Sequence, residues 1–194
     1  MSNSTLTQSV PPITPLAELT GEASVIVQAP ADAVYDYLAD FTRHAEWNKN
    51  VYKVWQTTKG PIAVGTRFKA TEGAPPAAFS KQLKAMAQVM AGMLAGAKSF
   101  SEAEITALEP GRRVCWVGIF PKTQGEFNRA EWQIELTTTG SGTRVTQSFR
   151  YLPQTPQARR MLAALGDANG IAQACAVNLN QLKQRLEQRR LQFA

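Results

Sequence analysis

The chain has 194 residues, of which 44% are hydrophobic and 19% charged, and this balance predicts a folded domain rather than a disordered chain. No apolar run approaches the ~18 residues that a membrane-spanning helix needs. The N-terminal segment has neither the basic region nor the continuous apolar region of a secretory signal, so we expect a cytoplasmic protein without stable membrane insertion.

The net charge of +6 is concentrated toward the C-terminus. The cations there are Arg159, Arg160, Lys183, Arg185, Arg189 and Arg190. No RNA-recognition motif or zinc-finger spacing accompanies them, and cations near the end of a helix oppose the negative end of its dipole. We therefore expect a solvated helix end and no nucleic acid partner.

The period of the apolar residues predicts the strands and helices. Residues 1–19, rich in Ser, Thr and Pro, predict a flexible tail, and residues 20–194 a single domain. In chain order we predict a strand at 24–28, helices at 31–40 and 43–47, strands at 51–58 and 66–71, a helix at about 76–98, strands at 101–108, 113–120, 126–138 and 143–152, a helix at 157–165, a break at 167–170, and a long helix from 171 onward. Short strands joined by tight turns indicate an antiparallel meander.

The last helix has one apolar stripe, formed by Ile171, Cys175, Leu179, Leu182 and Leu186. A sheet with one apolar face has to be covered, and this long helix is its natural cover. Contact between a curved sheet and a helix is incomplete, and the remaining volume is a cavity suited to a small molecule. The sequence therefore predicts an α+β fold in which a curved antiparallel sheet of six or seven strands surrounds the C-terminal helix.

The segment from Ala23 to Asn48, ASVIVQAPADAVYDYLADFTRHAEWN, resembles the opening of the START-like (SRPBCC) superfamily, in particular its polyketide cyclase/dehydrase branch. Further matches are Val64-Gly65 before a strand, the turn at 108–112 (LEPGR) and the strand at 143–146 (TRVT). The resemblance covers residues 22–194 apart from an insertion at 74–99. It implies the helix-grip fold, in which the sheet wraps the C-terminal helix around a hydrophobic tunnel. Members bind lipids, hormones or polyketides, and a minority are enzymes.

The chain departs from that family pattern between Gly73 and Ser99, where a Met- and Ala-rich helix replaces a short loop. Met86, Met90 and Met93 share one face of this inserted helix, and flexible thioethers suit apolar surfaces that must adapt. Two interpretations of the insertion remain open, a packed helix that covers a sheet edge and a lid over the pocket. A third is a helix at a membrane surface, which would need Trp and a more basic face.

Strand and helix periodicity also assigns the residues that face the cavity. They are Trp116, Trp132, Val145, Gln147, Phe149 and Tyr151 on the strands, and Cys175, Asn178 and Leu182 on the long helix. Gln147, Tyr151 and Asn178 supply the few polar contacts that orient a ligand in an apolar pocket.

The sequence shows no clear arrangement of catalytic residues. His44 is the single histidine, and its place in a short polar turn predicts a position near the surface. Asp36 and Asp40 lie one turn apart on the first helix, where we expect them on its solvated face rather than as paired acids.

The two cysteines, Cys115 and Cys175, lie far apart in apolar segments and match no metal-ligand spacing. No phosphate-binding glycine loop or metalloprotease motif occurs either. We therefore expect two buried thiols, no metal and no cofactor.

We interpret the chain as a binding protein for a small hydrophobic ligand, which is a lipid, a polyketide or an aromatic molecule. One alternative is a polyketide cyclase- or dehydratase-like enzyme in which Asn178, Gln147, Tyr151 or His44 orients an enolate. Another is a protein-interaction module that uses the Met-rich inserted helix. The sequence is also compatible with a homodimer.

Overall fold

A computed structural model of the chain describes residues 17–72, 99–119, 130–153 and 156–192. Its strands are β1 (Leu19–Val27), β2 (Val51–Gln56), β3 (Arg67–Glu72), β4 (Ser99–Glu109), β5 (Arg113–Ile119), β6 (Ala130–Thr139) and β7 (Gly142–Tyr151). They form one antiparallel sheet of seven strands in the order β1-β7-β6-β5-β4-β3-β2. The predicted antiparallel sheet is therefore confirmed.

The helices of the described part are α1 (Ala31–Ala39), a 3₁₀ turn at Phe41–Arg43, α2 (His44–Trp47), α3 (Pro156–Ala164) and α4 (Asp167–Gln192). The long helix α4 packs along β1 and touches α2. Leu179 and Leu182 of α4 are fully buried and pack in one cluster with residues of the sheet. This arrangement of one long helix held by an antiparallel sheet is the helix-grip fold that the resemblance implies.

Alternation along β7 decides which face of the sheet is buried. Thr143, Val145, Gln147 and Phe149 are buried, whereas the residues between them are partly or fully exposed. Residues directly opposite one another on neighbouring strands point to the same face. We call the buried side, which α4 covers, the inner face, and the other side the outer face.

The buried residues form two clusters. The central cluster is Val27, Ala29, Val34, Tyr35, Tyr37, Leu38, Phe41, Trp47, Phe68, Ile105, Val114, Trp116, Ile134, Leu136, Val145, Leu179, Leu182 and Leu186. The end cluster is Leu19, Phe149, Ala158, Leu162, Ile171 and Cys175. Ala23 and Trp132 are partly buried and pack against both clusters, so they lie at the seam between them.

The first strand is longer than its sequence predicts. β1 begins at Leu19 rather than at Ser24, because its backbone pairs with β7 from Leu19 opposite Tyr151 onward. Gly21 and Glu22 have little strand preference of their own, so the long-range pairing rather than the local sequence reveals this part of the strand.

The predicted break at 167–170 is wrong, since these residues form the first turn of α4. The chain turns at Gly166, which has φ 85°, a conformation that favours glycine. Gly170 lies inside the helix and does not end it. A Cβ atom at this position would lie 1.9 Å from the carbonyl oxygen of Leu165, so glycine is needed for the close approach of the two backbones.

Two predictions lie outside the described residues, namely most of the N-terminal tail at 1–19 and the inserted helix at about 76–98. Among the helices that are described, none combines the length and apolar character needed to cross a membrane.

Candidate functional site

A row of residues crosses the inner face from strand to strand. Gly21 of β1 pairs with Phe149 of β7, Phe149 with Trp132 of β6, and Trp132 with Trp116 of β5, which pairs with Ile105 of β4. We call these five residues the inner row. The ring centroids of Phe149 and Trp132 are 5.8 Å apart, and those of Trp132 and Trp116 are 6.1 Å apart with planes inclined by 9°. The row therefore presents an aromatic surface to the interior.

Trp132 is the least enclosed of the aromatic residues in the inner row. It is only partly buried, whereas Trp116 and Phe149 are 6% and 3% exposed. Its ring also meets that of Tyr151, which is half-buried, at 5.6 Å and an interplanar angle of 80°. Trp132 thus keeps accessible aromatic surface at the seam between the two clusters.

Gln147 lies beside the inner row, on the same face of β7. It is 3% exposed and pairs across the sheet with Ala23 of β1 and Ile134 of β6, so its surroundings are apolar. Its Oε1 atom has no hydrogen-bond partner within the described part of the chain. A buried acceptor without a partner costs about 1–3 kcal/mol, which a donor supplied by a ligand would offset.

His44 is buried, so the prediction that it lies near the surface is wrong. Its ring stacks on Phe41 at 4.7 Å and meets Trp47 edge-on at 4.4 Å and Trp116 at 5.4 Å. Burial lowers the pKa of His44 to about 3, so the imidazole is neutral at pH 7. Packing against the sheet, which a local sequence pattern does not show, accounts for the difference.

Asn48 connects His44 to α4. Its Oδ1 accepts from the backbone N–H of Asn50 at 3.0 Å and from Nδ2 of Asn178 at 3.1 Å. Its Nδ2 therefore points to Nε2 of His44, 3.0 Å away, and the neutral imidazole accepts at that nitrogen. The Oδ1 of Asn178 in turn accepts from the backbone N–H of Lys49 at 3.1 Å. We call these bonds the asparagine tie.

The asparagine tie changes how Asn178 is understood. Both ends of its side-chain amide are paired with Asn48 and Lys49, the two residues that follow α2, whereas the sequence predicts it as a ligand contact. The amide therefore fastens α4 to the end of α2. No local pattern indicates the role of Asn48, whose one signal is its place at the end of the segment Ala23 to Asn48 that carries the family resemblance.

The other predicted residues are distributed over both clusters. Val145 and Leu182 lie in the central cluster, and Cys175 lies in the end cluster. Burial raises the pKa of the Cys175 thiol to about 12, so it packs as a neutral group. Met86, Met90 and Met93 of the predicted lid lie outside the described residues.

Asp36 and Asp40 lie at the surface of α1 and at its end, as expected, and are not arranged as paired acids. Asp40 accepts a hydrogen bond from Nε of Arg43 at 2.8 Å, and Asp36 is exposed on α1. Among the described residues, no group of three or more His, Cys, Asp or Glu side chains is arranged to hold a metal ion.

A groove of about 390 Å³ crosses β4 to β7 on the outer face. Residues that alternate along their strands with those of the inner row line this groove, among them Cys115, Glu131, Gln133, Ser148 and Arg150. The three aromatic residues of the inner row, Trp116, Trp132 and Phe149, also border it. Arg150 is paired there with Glu131 at 3.0 Å, so the groove is polar and partly filled by an ion pair.

A protein-family model described as polyketide cyclase / dehydrase and lipid transport matches residues 18–187. A search of curated protein sequences found no match.

Solved structures with the same fold include the Zhui aromatase/cyclase from Streptomyces sp. R1128, at 16% identity and a TM-score of 0.62, over 89% of this chain and 96% of that one. The di-domain aromatase/cyclase StfQ of the steffimycin biosynthetic pathway is matched at 16% identity and TM-score 0.61, over 89% of this chain and 51% of that one. The ginseng major latex-like protein 151 from Panax ginseng is matched at 12% identity and TM-score 0.58, over 86% and 97%. At these identities the likeness establishes the fold.

Proposed function

The chain belongs to the polyketide cyclase/dehydrase and lipid transport family, and we propose that it binds a small hydrophobic molecule with fused or linked rings between the inner face of the sheet and α4. The observation that carries this proposal is the buried Oε1 of Gln147, which has no hydrogen-bond partner in the described part of the chain. The ligand that completes this site carries a hydroxyl or N–H group beside an apolar body.

The position of Gln147 supports a polar contact within an apolar pocket. Its neighbours on the inner face are Ala23, Ile134, Val145 and Phe149, none of which offers a side-chain donor. A donor from a ligand would restore the missing bond, with a net gain of about 0.5–1.5 kcal/mol. Because a single buried acceptor recognises one donor, it orients the ligand as well as holding it.

The partly exposed ring of Trp132 supports a ligand with aromatic character. It lies at the seam between the two clusters and is the cross-strand neighbour of Phe149. Two residues further along the same ladder, Ile134 pairs with Gln147. Aromatic pairs in offset or edge-on contact are worth about 0.5–1.5 kcal/mol beyond the area that they bury. The Trp132 ring and the Gln147 acceptor together favour a ring that carries a hydroxyl group.

Titrations with 2-naphthol and 2-methoxynaphthalene test this proposal. The two molecules have the same ring system, but only 2-naphthol donates a hydrogen bond. We expect the wild-type chain to bind 2-naphthol about fivefold more tightly, which corresponds to a net bond of ~1 kcal/mol. Gln147→Leu should abolish this preference while keeping affinity for the shared ring system.

The matched control is Gln133→Leu, which makes the same change on the outer face of β6, where the Gln133 side chain bonds Glu135. It should leave the preference for 2-naphthol intact. If neither naphthalene binds, or if Gln147→Leu keeps the wild-type preference, the proposed site is wrong.

A second candidate function is the cyclisation of a polyketide-like substrate. Gln147 and Tyr151 point to the same face of β7, with Trp132 in ring contact with Tyr151, so two polar groups lie beside an aromatic wall. In an aldol cyclisation the enol carbon would attack the accepting ketone, and the proton of the enol hydroxyl would pass to the new alkoxide oxygen. The tyrosine hydroxyl would donate a hydrogen bond to the accepting ketone, and the Gln147 oxygen would accept one from the enol hydroxyl. His44 has no place as the base, because its Nε2 accepts from Asn48 and its pKa is lowered to about 3.

Conversion of a linear poly-β-ketone, followed by mass spectrometry, tests this second candidate. Tyr151→Phe and Gln147→Leu should each slow formation of the cyclised product, and His44→Phe should not affect the chemical step. Equal rates in all variants would refute the assignment of these groups to the reaction.

The inserted helix at about 76–98 retains two proposed roles, as a lid over the pocket and as a docking element for a partner protein. Deletion of 76–98 distinguishes them. Loss of a lid should speed ligand dissociation, whereas loss of a docking element should leave ligand kinetics unchanged and remove partner binding.

A further inference from the structure

The two edges of the sheet differ in length and regularity. Among the described strands, β2 lies at one edge and β1 at the other. β2 has six residues and an irregular register between Val51 and Lys53, whereas β1 pairs with β7 in continuous register over all nine of its residues. A long, regular edge strand offers a row of backbone N–H and C=O groups to which another strand can add. β1 is therefore the edge at which another strand would add more readily.

Two side chains of α4 bond the backbone at the end of β1. The Nζ atom of Lys183 donates to the carbonyl oxygen of Ile26 at 2.9 Å, and Oε1 of Glu187 accepts from the backbone N–H of Gln28, also at 2.9 Å. The two side chains lie one helical turn apart and form an ion pair at 3.6 Å, so each helps to hold the other in place. We call Lys183 and Glu187 the edge cap.

The bonded groups identify the side of β1 that faces away from β7. In an antiparallel pair, alternate residues direct both their N–H and C=O groups toward the partner strand, and the residues between them direct theirs away. Because α4 bonds Ile26 and Gln28, the even-numbered positions are those that face away from β7. Thr20, Glu22 and Ser24 share this register, and their side chains are exposed. The edge cap thus covers the C-terminal end of one continuous hydrogen-bonding edge.

We propose that the edge cap prevents a second copy of this chain from adding its β1 to the same edge. Two identical strands can pair antiparallel about a two-fold axis, because each offers the other the same row of donors and acceptors. A pairing along the whole strand needs the carbonyl of Ile26 and the N–H of Gln28, which the edge cap already bonds. The Ile26 side chain, which is 36% exposed, would add apolar contact to such a pairing. This inference is independent of the proposed function, because the edge cap contributes no group to the proposed ligand site.

The double variant Lys183→Met/Glu187→Met tests the inference on the full chain. Methionine keeps the length and the helix preference of both side chains but removes the two charge-assisted bonds. The two changes together also leave the net charge at +6. Sedimentation equilibrium should give a dimerisation constant at least about tenfold tighter than that of the wild type, because the freed backbone groups become available to a second strand.

Ser24→Pro, added to the double variant, locates the contact. Proline removes the N–H of Ser24, which faces away from β7, so the pairing of β1 with β7 keeps its bonds. The added proline should return the dimerisation constant to the wild-type value. If this chain does not fold, Ser24→Lys takes its place, because a lysine on an edge strand opposes strand addition without removing a backbone donor.

The matched control is Lys69→Met/Glu102→Met, which removes an ion pair of the same residue types, 3.3 Å apart, on β3 and β4. It should leave the dimerisation constant unchanged. An equal gain in this control would assign the association to exposed methionine and overturn the inference, as would a double variant that associates no more than the wild type. A dimer that persists with Ser24→Pro or Ser24→Lys would contradict the contact through β1. A wild-type dimer that Ser24→Pro alone dissociates would show that the edge cap does not close this edge.

Discussion

The central cluster and the end cluster are formed by the same sheet and the same helix, yet they are held together in different ways. The central cluster contains fully buried side chains from the sheet, from α1 and from α4, and the asparagine tie fixes α2 to α4 beside it. The end cluster is smaller, and the short helix α3 that contributes to it is linked to α4 by an ion pair of Arg159 with Asp167.

The difference teaches where a ligand can be accommodated. Close-packed interiors respond poorly to changes of volume, so the central cluster is suited to holding the shape of the sheet. The seam beside the end cluster combines a partly exposed Trp132, a glycine that admits the ring of Phe149, and the Oε1 of Gln147, which no described residue pairs with. These features allow local adjustment while the central cluster keeps the fold.

The largest expected effect comes from shortening one leucine in each cluster. Leu182 of the central cluster is 0% exposed and Leu162 of the end cluster is 1% exposed. Leu182→Ala should lower the free energy of unfolding by about 3–4 kcal/mol, and Leu162→Ala by about 2 kcal/mol, because α3 can shift to fill the space. Urea denaturation of both variants measures the two values. Equal losses, or a larger loss for Leu162→Ala, would break the distinction between a fixed and an adaptable cluster.

The asparagine tie should have the next largest effect. Asn178→Ala leaves the backbone N–H of Lys49 without its acceptor and the Oδ1 of Asn48 with one donor fewer. We expect the free energy of unfolding to fall by ~2 kcal/mol. Asn180→Ala is the control, since the exposed side chain of Asn180 bonds the carbonyl of Ala176 in its own helix, and it should change stability by less than about 0.5 kcal/mol. A similar result for both variants would mean that the tie does not stabilise the central cluster.

The smallest of the three effects is a pH dependence caused by His44. Burial lowers its pKa to about 3 in the folded chain, below the unfolded value near 6.5, so only the unfolded chain takes up the proton between these pH values. Stability from this residue is therefore present above pH 6.5 and is lost as the pH falls, by ~1.5 kcal/mol between pH 6.5 and pH 5. Denaturation of the wild type and of His44→Phe across this range gives the difference. Parallel curves for the two proteins would show that the central cluster tolerates a charged imidazole.

The strands and their inner faces could be predicted because the signal is local. The alternation in β6 and β7 identifies the buried side of each strand, and it places Gln147 and Trp132 on the inner face without any knowledge of their neighbours. The apolar stripe of α4 likewise identifies the helix and its buried side. The same local reasoning predicted a break at 167–170, because it treats Gly170 as a helix breaker and does not see the carbonyl of Leu165 against it.

The parts of the site that sequence reasoning missed depend on contacts between distant segments. His44 stands in a polar turn, and only its packing against Trp116 of β5 explains its burial. Gly21 and the ring of Phe149 lie opposite each other only after β1 and β7 have paired in their observed register. The asparagine tie joins α2 to α4 in the same way, so neither local periodicity nor composition indicates it.

A crystal structure of the chain with 2-naphthol tests the central claim most directly. The account predicts that the hydroxyl lies within hydrogen-bond distance of Oε1 of Gln147, with the rings against Trp132 on the inner face. Rings bound in the groove on the outer face, beside Cys115 and Gln133, with Gln147 still unpaired, would contradict it.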